Sequence, residues 1–178
     1  MWKKKRGPLS VLVLCAAVVG SFAVVAALFG LRINTSYSLP LGLYQVTDDD
    51  SAPLIEFCPA EPFGSQSSER GYRSRSLTCP DGAVPLLKPI VARAGDVVEV
   101  TNTGLAINGE LLPESAPLRR DGAGRELHPW PAGRYKVEAG TVWVASTYNA
   151  GSFDSRYMGP IDTRQIRQRL RPLWCLKG

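Results

Sequence analysis

Polarity divides the first 32 residues sharply. Met1 to Arg6 reads MWKKKR, and Leu9 to Leu31 then runs without a single charged side chain. As a helix, that stretch covers roughly 34 Å at 1.5 Å per residue, against a hydrocarbon core of ~30 Å. A cleavable leader normally carries an apolar region of only ~7–15 residues, so a retained anchor fits better than a signal peptide. Beyond Pro40 the pattern changes to short apolar runs broken by turn residues. LGLYQV (41–46) and PLIEF (53–57) read as strands on either side of the acidic 48–50. VPLLKPIVARAGDVVEV (84–100) reads as two strands turning at Ala94-Gly95-Asp96, and GLAINGELL (104–112) as a hairpin at Asn108-Gly109. YKVEAGTVWVAST (135–147) supplies two further strands, and TRQIRQRLRPLW (163–174) reads as a weak helix stopped by Pro172. The stretches 59–82 and 119–133, rich in Gly, Pro, Ser and Arg, read as surface excursions. The predicted architecture is mainly β: one N-terminal transmembrane helix followed by a compact antiparallel domain.

Charge adds an orientation. Lys3, Lys4, Lys5 and Arg6 are expected to stay cytoplasmic, which divides the chain into a basic N-terminus (1–8), an anchor (9–31) and an exported domain (32–178). In a bacterium that places the domain in the periplasm, on the inner membrane. Of the 21 Lys and Arg residues, four stand in this cluster, leaving 17 against 16 acidic residues. A near-neutral body excludes a broad nucleic-acid footprint. Arg164, Arg167, Arg169, Arg171 and Lys177 form a basic tail, read as a solvated face or as a contact with lipid headgroups. Of the four cysteines, Cys15 falls in the apolar run. Cys58 and Cys79 each precede a proline and flank the first excursion, and in an oxidising compartment they are expected to form a disulfide. Cys175 has no evident partner. The lone His128 offers no metal-ligand pattern, and neither a metal nor a cofactor is implied.

Candidate chemistry begins with an unusual lysine. Lys88 is the only charge in Pro85–Val91, and on a strand it shares a face with Leu86 and Ile90. Burial without a counter-ion lowers an ammonium's pKa, and bringing it from ~10.4 to near 7 takes roughly 4–5 kcal/mol of destabilisation of the charged form. The alternative is an edge-strand lysine reaching out to solvent beside Pro89. Ser36 and Ser38 lie in NTSYSLPLGLY (34–44), directly after the apolar run, with Pro40 and Gly42 stiffening the turn. Alone they read as solvated loop hydroxyls. No G-x-S-x-G elbow occurs, and no histidine is placed to serve a serine. Asp154 and Arg156 in SFDSRY (152–157) read as a polar turn or as a bracing pair.

In order, these segments resemble the type I signal peptidases (leader peptidases), and more closely their TraF-type branch encoded with conjugative transfer systems. The serine box after the anchor reads NTSYSLPLGLY. The lysine box followed by a Gly-Asp turn reads KPIVARAGD (88–96), then the Asn108-Gly109 hairpin, then DSRYMGP (154–160). The resemblance covers most of residues 32–161. It implies a serine endopeptidase of the signal-peptidase fold in which Ser38 is the nucleophile and Lys88 the general base. It implies Ser36 as an oxyanion-stabilising hydroxyl, and Asp154 and Arg156 as support for the loop on the lysine side. The serine box departs from the general leader-peptidase form. That form sets two residues between serine and proline, whereas Ser38 has one and Ser36 three, so Ser36 stands as the alternative nucleophile.

The implied substrate is an exported precursor with small residues before the cut, bound as an extended strand. In the TraF-type branch it is the propeptide of a conjugative pilin, whose own N-terminal amine can resolve the acyl-enzyme to a cyclic product. Conjugation or type IV secretion components are the implied partners. Two alternatives are a general signal peptidase removing leader peptides, and a non-catalytic component of a conjugation or secretion channel. The latter predicts loss of the serine or the lysine, and both are present.

Overall fold

The computed structural model describes residues 8–176. The basic cluster Lys3–Arg6 and the tail residue Lys177 therefore lie outside the described residues. Pro8–Leu28 forms helix α1, built from uncharged residues throughout. Part of its side chains is also outside the description, and among the described residues no helix is long and apolar enough to cross a membrane. The helix stops three residues before the end of the apolar run. Gly30 takes φ +63°, a conformation that costs glycine little. The chain then turns directly into a strand, β1 (Leu31–Asn34), that the apolar run concealed.

Two antiparallel sheets follow. The larger has seven strands in the order β1, β2 (Gly42–Thr47), β11 (Ile166–Cys175), β3 (Leu54–Phe57), β4 (Leu86–Ala92), β9 (Thr141–Val144) and β10 (Ile161–Asp162). The smaller has four, in the order β7 (Glu110–Leu111), β6 (Gly104–Ile107), β5 (Val97–Thr101) and β8 (Gly133–Lys136). The strands read from the sequence all form. Asn108 (φ 52°) and Gly109 (φ 90°) make the tight β6–β7 turn, both in the left-handed region. The 135–147 stretch divides between the sheets, β8 closing the small one and β9 joining the large one.

The C-terminal helix does not form. Ile166–Cys175 is the longest strand, paired with β2 on one side and β3 on the other. Leu170 is buried, Ile166 and Gln168 on alternate positions before it are half-buried, and Arg167 and Arg171 are exposed, with the half-buried Arg169 the exception to the alternation. The strand period fits these positions better than the helical one. Pro172 does not end the strand. It falls beyond the part paired with β3, next to a register shift against β2, where a missing N–H is tolerated. Gly42 admits β11 here, since a Cβ on it would sit 2.3 Å from the Trp174 carbonyl oxygen.

Three apolar clusters hold the sheets. Ile55, Phe57, Leu86, Val144, Phe153 and Tyr157 pack beneath the large sheet, and Val98, Val100, Leu105, Val137 and Trp143 join the small sheet to it. Leu39, Tyr44, Leu54 and Leu170 form the third, against which the free thiol Cys175 packs half-buried. Trp130 belongs to the second cluster, and its ring fills the space over Gly159, where a Cβ would approach it to 2.5 Å. The Gly of DSRYMGP is thus needed for packing.

The first excursion is stapled as expected. Cys58 and Cys79 are disulfide-bonded across 21 residues of sequence. Between them lies a short helix, α2 (Phe63–Glu69), and the buried Arg73 reaches the Ser67 hydroxyl, the Gly64 and Val84 carbonyls and Asp81. Closing such a loop contributes about 3 kcal/mol in the chain-entropy model. Replacing both cysteines with serine is therefore expected to lower the unfolding temperature by roughly 6–12 °C for a chain of this size, read by thermal denaturation. An unchanged midpoint would show that the excursion's own contacts suffice.

Candidate active site

A cleft of about 760 Å³ opens between the β1–β2 loop, the start of β4 and the two excursions. Ser36, Ser38 and Lys88 line it together, although 50 residues separate the last two. The excursions form one wall, joined where Tyr72 donates to Asp121 at 2.5 Å and Arg125 Nε donates to the same carboxylate at 2.7 Å. Strand β4 pairs with β3 from Leu86 to Pro89 but meets β9 only from Ile90 onward. The first half of β4 therefore keeps one backbone edge free toward the cleft.

Lys88 is buried, with 3% of its surface exposed, on the same face of β4 as Leu86. The reading of a solvated edge lysine does not hold. Desolvation pushes its pKa down to about 8. Asp154 pulls in the opposite direction and Arg156 adds to the lowering. Its Nζ donates to the Ser152 hydroxyl at 2.7 Å. Among the described residues there is no hydrogen bond from Lys88 to Ser38 or Ser36.

The serine loop is held by its own hairpin. Asn34 Nδ2 donates to the carbonyls of Ser36, Leu39 and Pro40, and the Tyr44 hydroxyl donates to the Pro40 carbonyl at 2.6 Å. Ser36 is exposed, and its hydroxyl donates to Asn34 Oδ1 at 2.8 Å, so it is turned back into the loop. Ser38 is half-buried, and no hydroxyl contact engages it among the described residues. Its carbonyl accepts from the Ser146 hydroxyl at 2.6 Å.

Asp154 and Arg156 lie under the cleft, fully buried and paired at 2.8 Å. Asp154 caps the one-turn helix α3 (Ser155–Met158) through the Arg156 N–H. The Arg156 guanidinium donates to the carbonyls of Glu114, Asn149, Ala150 and Ser152, which fixes the 149–152 loop. Desolvation is the largest single influence on Arg156 and works against its charge, but the hydrogen bonds and charge of Asp154 outweigh it and hold the guanidinium pKa above its ordinary value.

Residues 7–174 match the family described as signal peptidase, peptidase S26. The chain belongs to the S26 signal peptidases. Two Escherichia coli proteins, each described as plasmid transfer protein TraF, are similar to it. One is 38% identical over 150 residues, covering 81% of this chain and 82% of the relative. The other is 34% identical over 154 residues, covering 85% and 86%. A signal peptidase I crystal structure from Enterococcus faecalis matches 71% of this chain and all of its own, at TM-score 0.38 and 17% identity.

In this S26 peptidase the sequence singled out five of the residues that meet at or beneath the cleft: Ser36, Ser38, Lys88, Asp154 and Arg156. It passed over Ser152 and Ser146. Ser152 carried one signal, since a buried amine needs an acceptor and this hydroxyl stands two residues before Asp154. Ser146 carried none. Its contact with Ser38 spans 108 residues of sequence.

Proposed function

We propose that this S26 peptidase is a membrane-anchored endopeptidase in which Ser38 attacks the scissile carbonyl and Lys88 is the general base. The observation that carries the reading is Lys88 itself, an ammonium buried in a strand, with its pKa lowered to about 8, in the same cleft as Ser38. Neutral Lys88 takes the Ser38 hydroxyl proton as the oxygen bonds to the carbonyl carbon, giving a tetrahedral oxyanion. As the peptide C–N bond breaks, the proton passes to the leaving amine and the acyl-enzyme remains. The Ser38 N–H has no hydrogen-bond partner among the described residues and is available to the oxyanion. Ser36 can assist only by releasing Asn34, and that engaged hydroxyl favours Ser38 as nucleophile.

The substrate of this reading is an exported precursor laid as an extended strand along the free edge of β4. The similarity to plasmid transfer proteins TraF favours a conjugative pilin precursor over general leader peptides. It also makes conjugation components the expected partners. The uncharged 9–31 run behind a basic cluster supports an inner-membrane anchor with the β domain in the periplasm. Both serine and lysine are present and buried contacts maintain the lysine, which disfavours a non-catalytic role.

The test is coexpression with a pilin precursor, following product mass for wild type, Ser38→Ala, Ser36→Ala and Lys88→Ala. Wild type and Ser36→Ala are expected to process the precursor and the other two are not. Full processing by both Ser38→Ala and Lys88→Ala would sink the reading. A product lighter than the linear mature chain by one water identifies attack on the acyl-enzyme by the pilin's own amine in place of water.

A further inference from the structure

We propose that Ser146 is a positioning residue that sets the Ser38 backbone in register with the lysine half of the site; this rests on the assignment of Ser38 and Lys88 above. Ser146 lies two residues beyond the end of β9 and is fully buried. Its hydroxyl donates to the Ser38 carbonyl oxygen at 2.6 Å and accepts the N–H groups of Tyr148 and Asn149, each at 3.1 Å. The hydroxyl's single proton and both acceptor sites are engaged, which leaves it no freedom to rotate. Its own N–H donates to Asp154 Oδ2 at 3.0 Å.

What makes this contact decisive is where the other bonds of the serine loop go. Asn34 and Tyr44 tie its carbonyls, and both belong to the β1–β2 hairpin that carries the loop. Among the described residues, the Ser146 bond is the one hydrogen bond from residues 35–40 to the elements that hold Lys88. The segment beginning at Ser146 ends at Ser152, whose hydroxyl accepts from Lys88 Nζ. Both ends hang from one ion pair: Asp154 accepts the Ser146 N–H, and Arg156 donates to the Ser152 carbonyl at 3.0 Å. Residues 146–152 therefore form a brace with the nucleophile's backbone at one end and the base's side chain at the other. Ser146 touches neither substrate nor reacting atoms and acts through Ser38.

A serine that merely closed its own turn on Tyr148 and Asn149 would affect stability without affecting the chemical step. The two roles separate in steady-state kinetics of the full-length enzyme on a precursor peptide, below the unfolding temperature. Ser146→Ala is expected to lower kcat about 10²-fold, the scale of a small misplacement of reacting groups, and to leave KM within about threefold. The midpoint of the pH–rate profile is expected to stay at its wild-type value, because the Lys88 environment is kept. Ser146→Thr, which retains the hydroxyl, is expected to recover most of kcat. An alanine variant with wild-type kcat, a loss confined to KM, or a folded threonine variant no better than alanine would each overturn the proposal. Should the alanine chain not fold, Ser146→Cys fills the same space with a weaker, longer donor. A kcat loss of about tenfold there supports the proposal and an unchanged kcat overturns it. Ser38→Ala is assayed in parallel; activity in that variant removes the nucleophile assignment itself and is recognisable as a separate failure.

Discussion

Lys88→Met is expected to abolish processing and, at pH 7, to make the folded domain more stable. The lysine's pKa is about 8 in the folded chain against an ordinary 10.5. At 1.36 kcal/mol per unit, keeping it charged at pH 7 costs the native state roughly 3 kcal/mol. Methionine occupies similar volume without that desolvation, and the Ser152 hydroxyl loses its donor, a cost of about 1 kcal/mol. The net gain of about 2 kcal/mol corresponds to a rise of roughly 4–8 °C for a chain of this length. The gain is pH-dependent. The unfolded chain holds this proton more tightly than the folded one, so wild-type stability rises as pH climbs from about 8 to about 10.5. The advantage of the variant must therefore shrink over the same window. Thermal unfolding of both chains at pH 7 and near pH 10 tests this, and a variant that melts below wild type at pH 7 contradicts it. Activity depends on the same group with the same midpoint. With Lys88 as the proposed base, only its neutral form is active, so wild-type kcat/KM is expected to rise tenfold per pH unit below about 8 and level off above it.

The second large effect is expected at the ion pair beneath the cleft. Arg156→Met leaves the Asp154 carboxylate buried without its ion-pair partner, with backbone N–H donors and the more distant Lys88 to oppose it, and frees four carbonyls from the guanidinium. Breaking a fully buried pair from one side costs about 3–5 kcal/mol, which is roughly 6–20 °C in unfolding temperature at this size. Arg156→Lys is not a conservative change, because an ammonium has three donors and no fork to span Asp154 and the loop carbonyls together. Asp154→Asn is expected to lose less than Arg156→Met, since an amide still accepts from the Ser146 N–H. The double variant is expected to be less destabilised than the sum of its parts. Denaturant unfolding of the four chains gives the coupling energy directly, and additivity within about 0.5 kcal/mol would show that the two residues act independently.

Part of this site was legible because one residue breaks a local rule, and the rest because its segments occur in a recognisable order. A lysine inside an apolar strand stands out from its surroundings, whereas the serine turn and the Asp-Ser-Arg string read as ordinary polar turns and became legible only as ordered boxes that resemble a known family. Asn108-Gly109 was legible for a different reason, since few dipeptides take two left-handed conformations in succession. The misreading of 163–174 has a physical cause. Arginines are common on helices and on strands alike, and tertiary pairing with β2 and β3 decides between them. Strand β1 was hidden because Leu31 continues the apolar run without a break, and only the turn at Gly30 separates them. Ser146 and Ser152 lie in an ordinary polar turn. What they do depends on partners 108 and 64 residues away, and spacing along the chain does not carry that information.

The place of β11 has a consequence for how the enzyme is made. The hairpin that carries Ser38 meets the strands that carry Lys88 through β11, which lies between β2 and β3 in the sheet and ends at Cys175. In chain order the serine arm comes first and the lysine strand next, and the strand that joins them follows both. The two arms share one sheet only once β11 has paired with both β2 and β3. A chain cut before Ile166 is therefore expected to leave the serine arm and the lysine strand unjoined, and the cleft between them unformed.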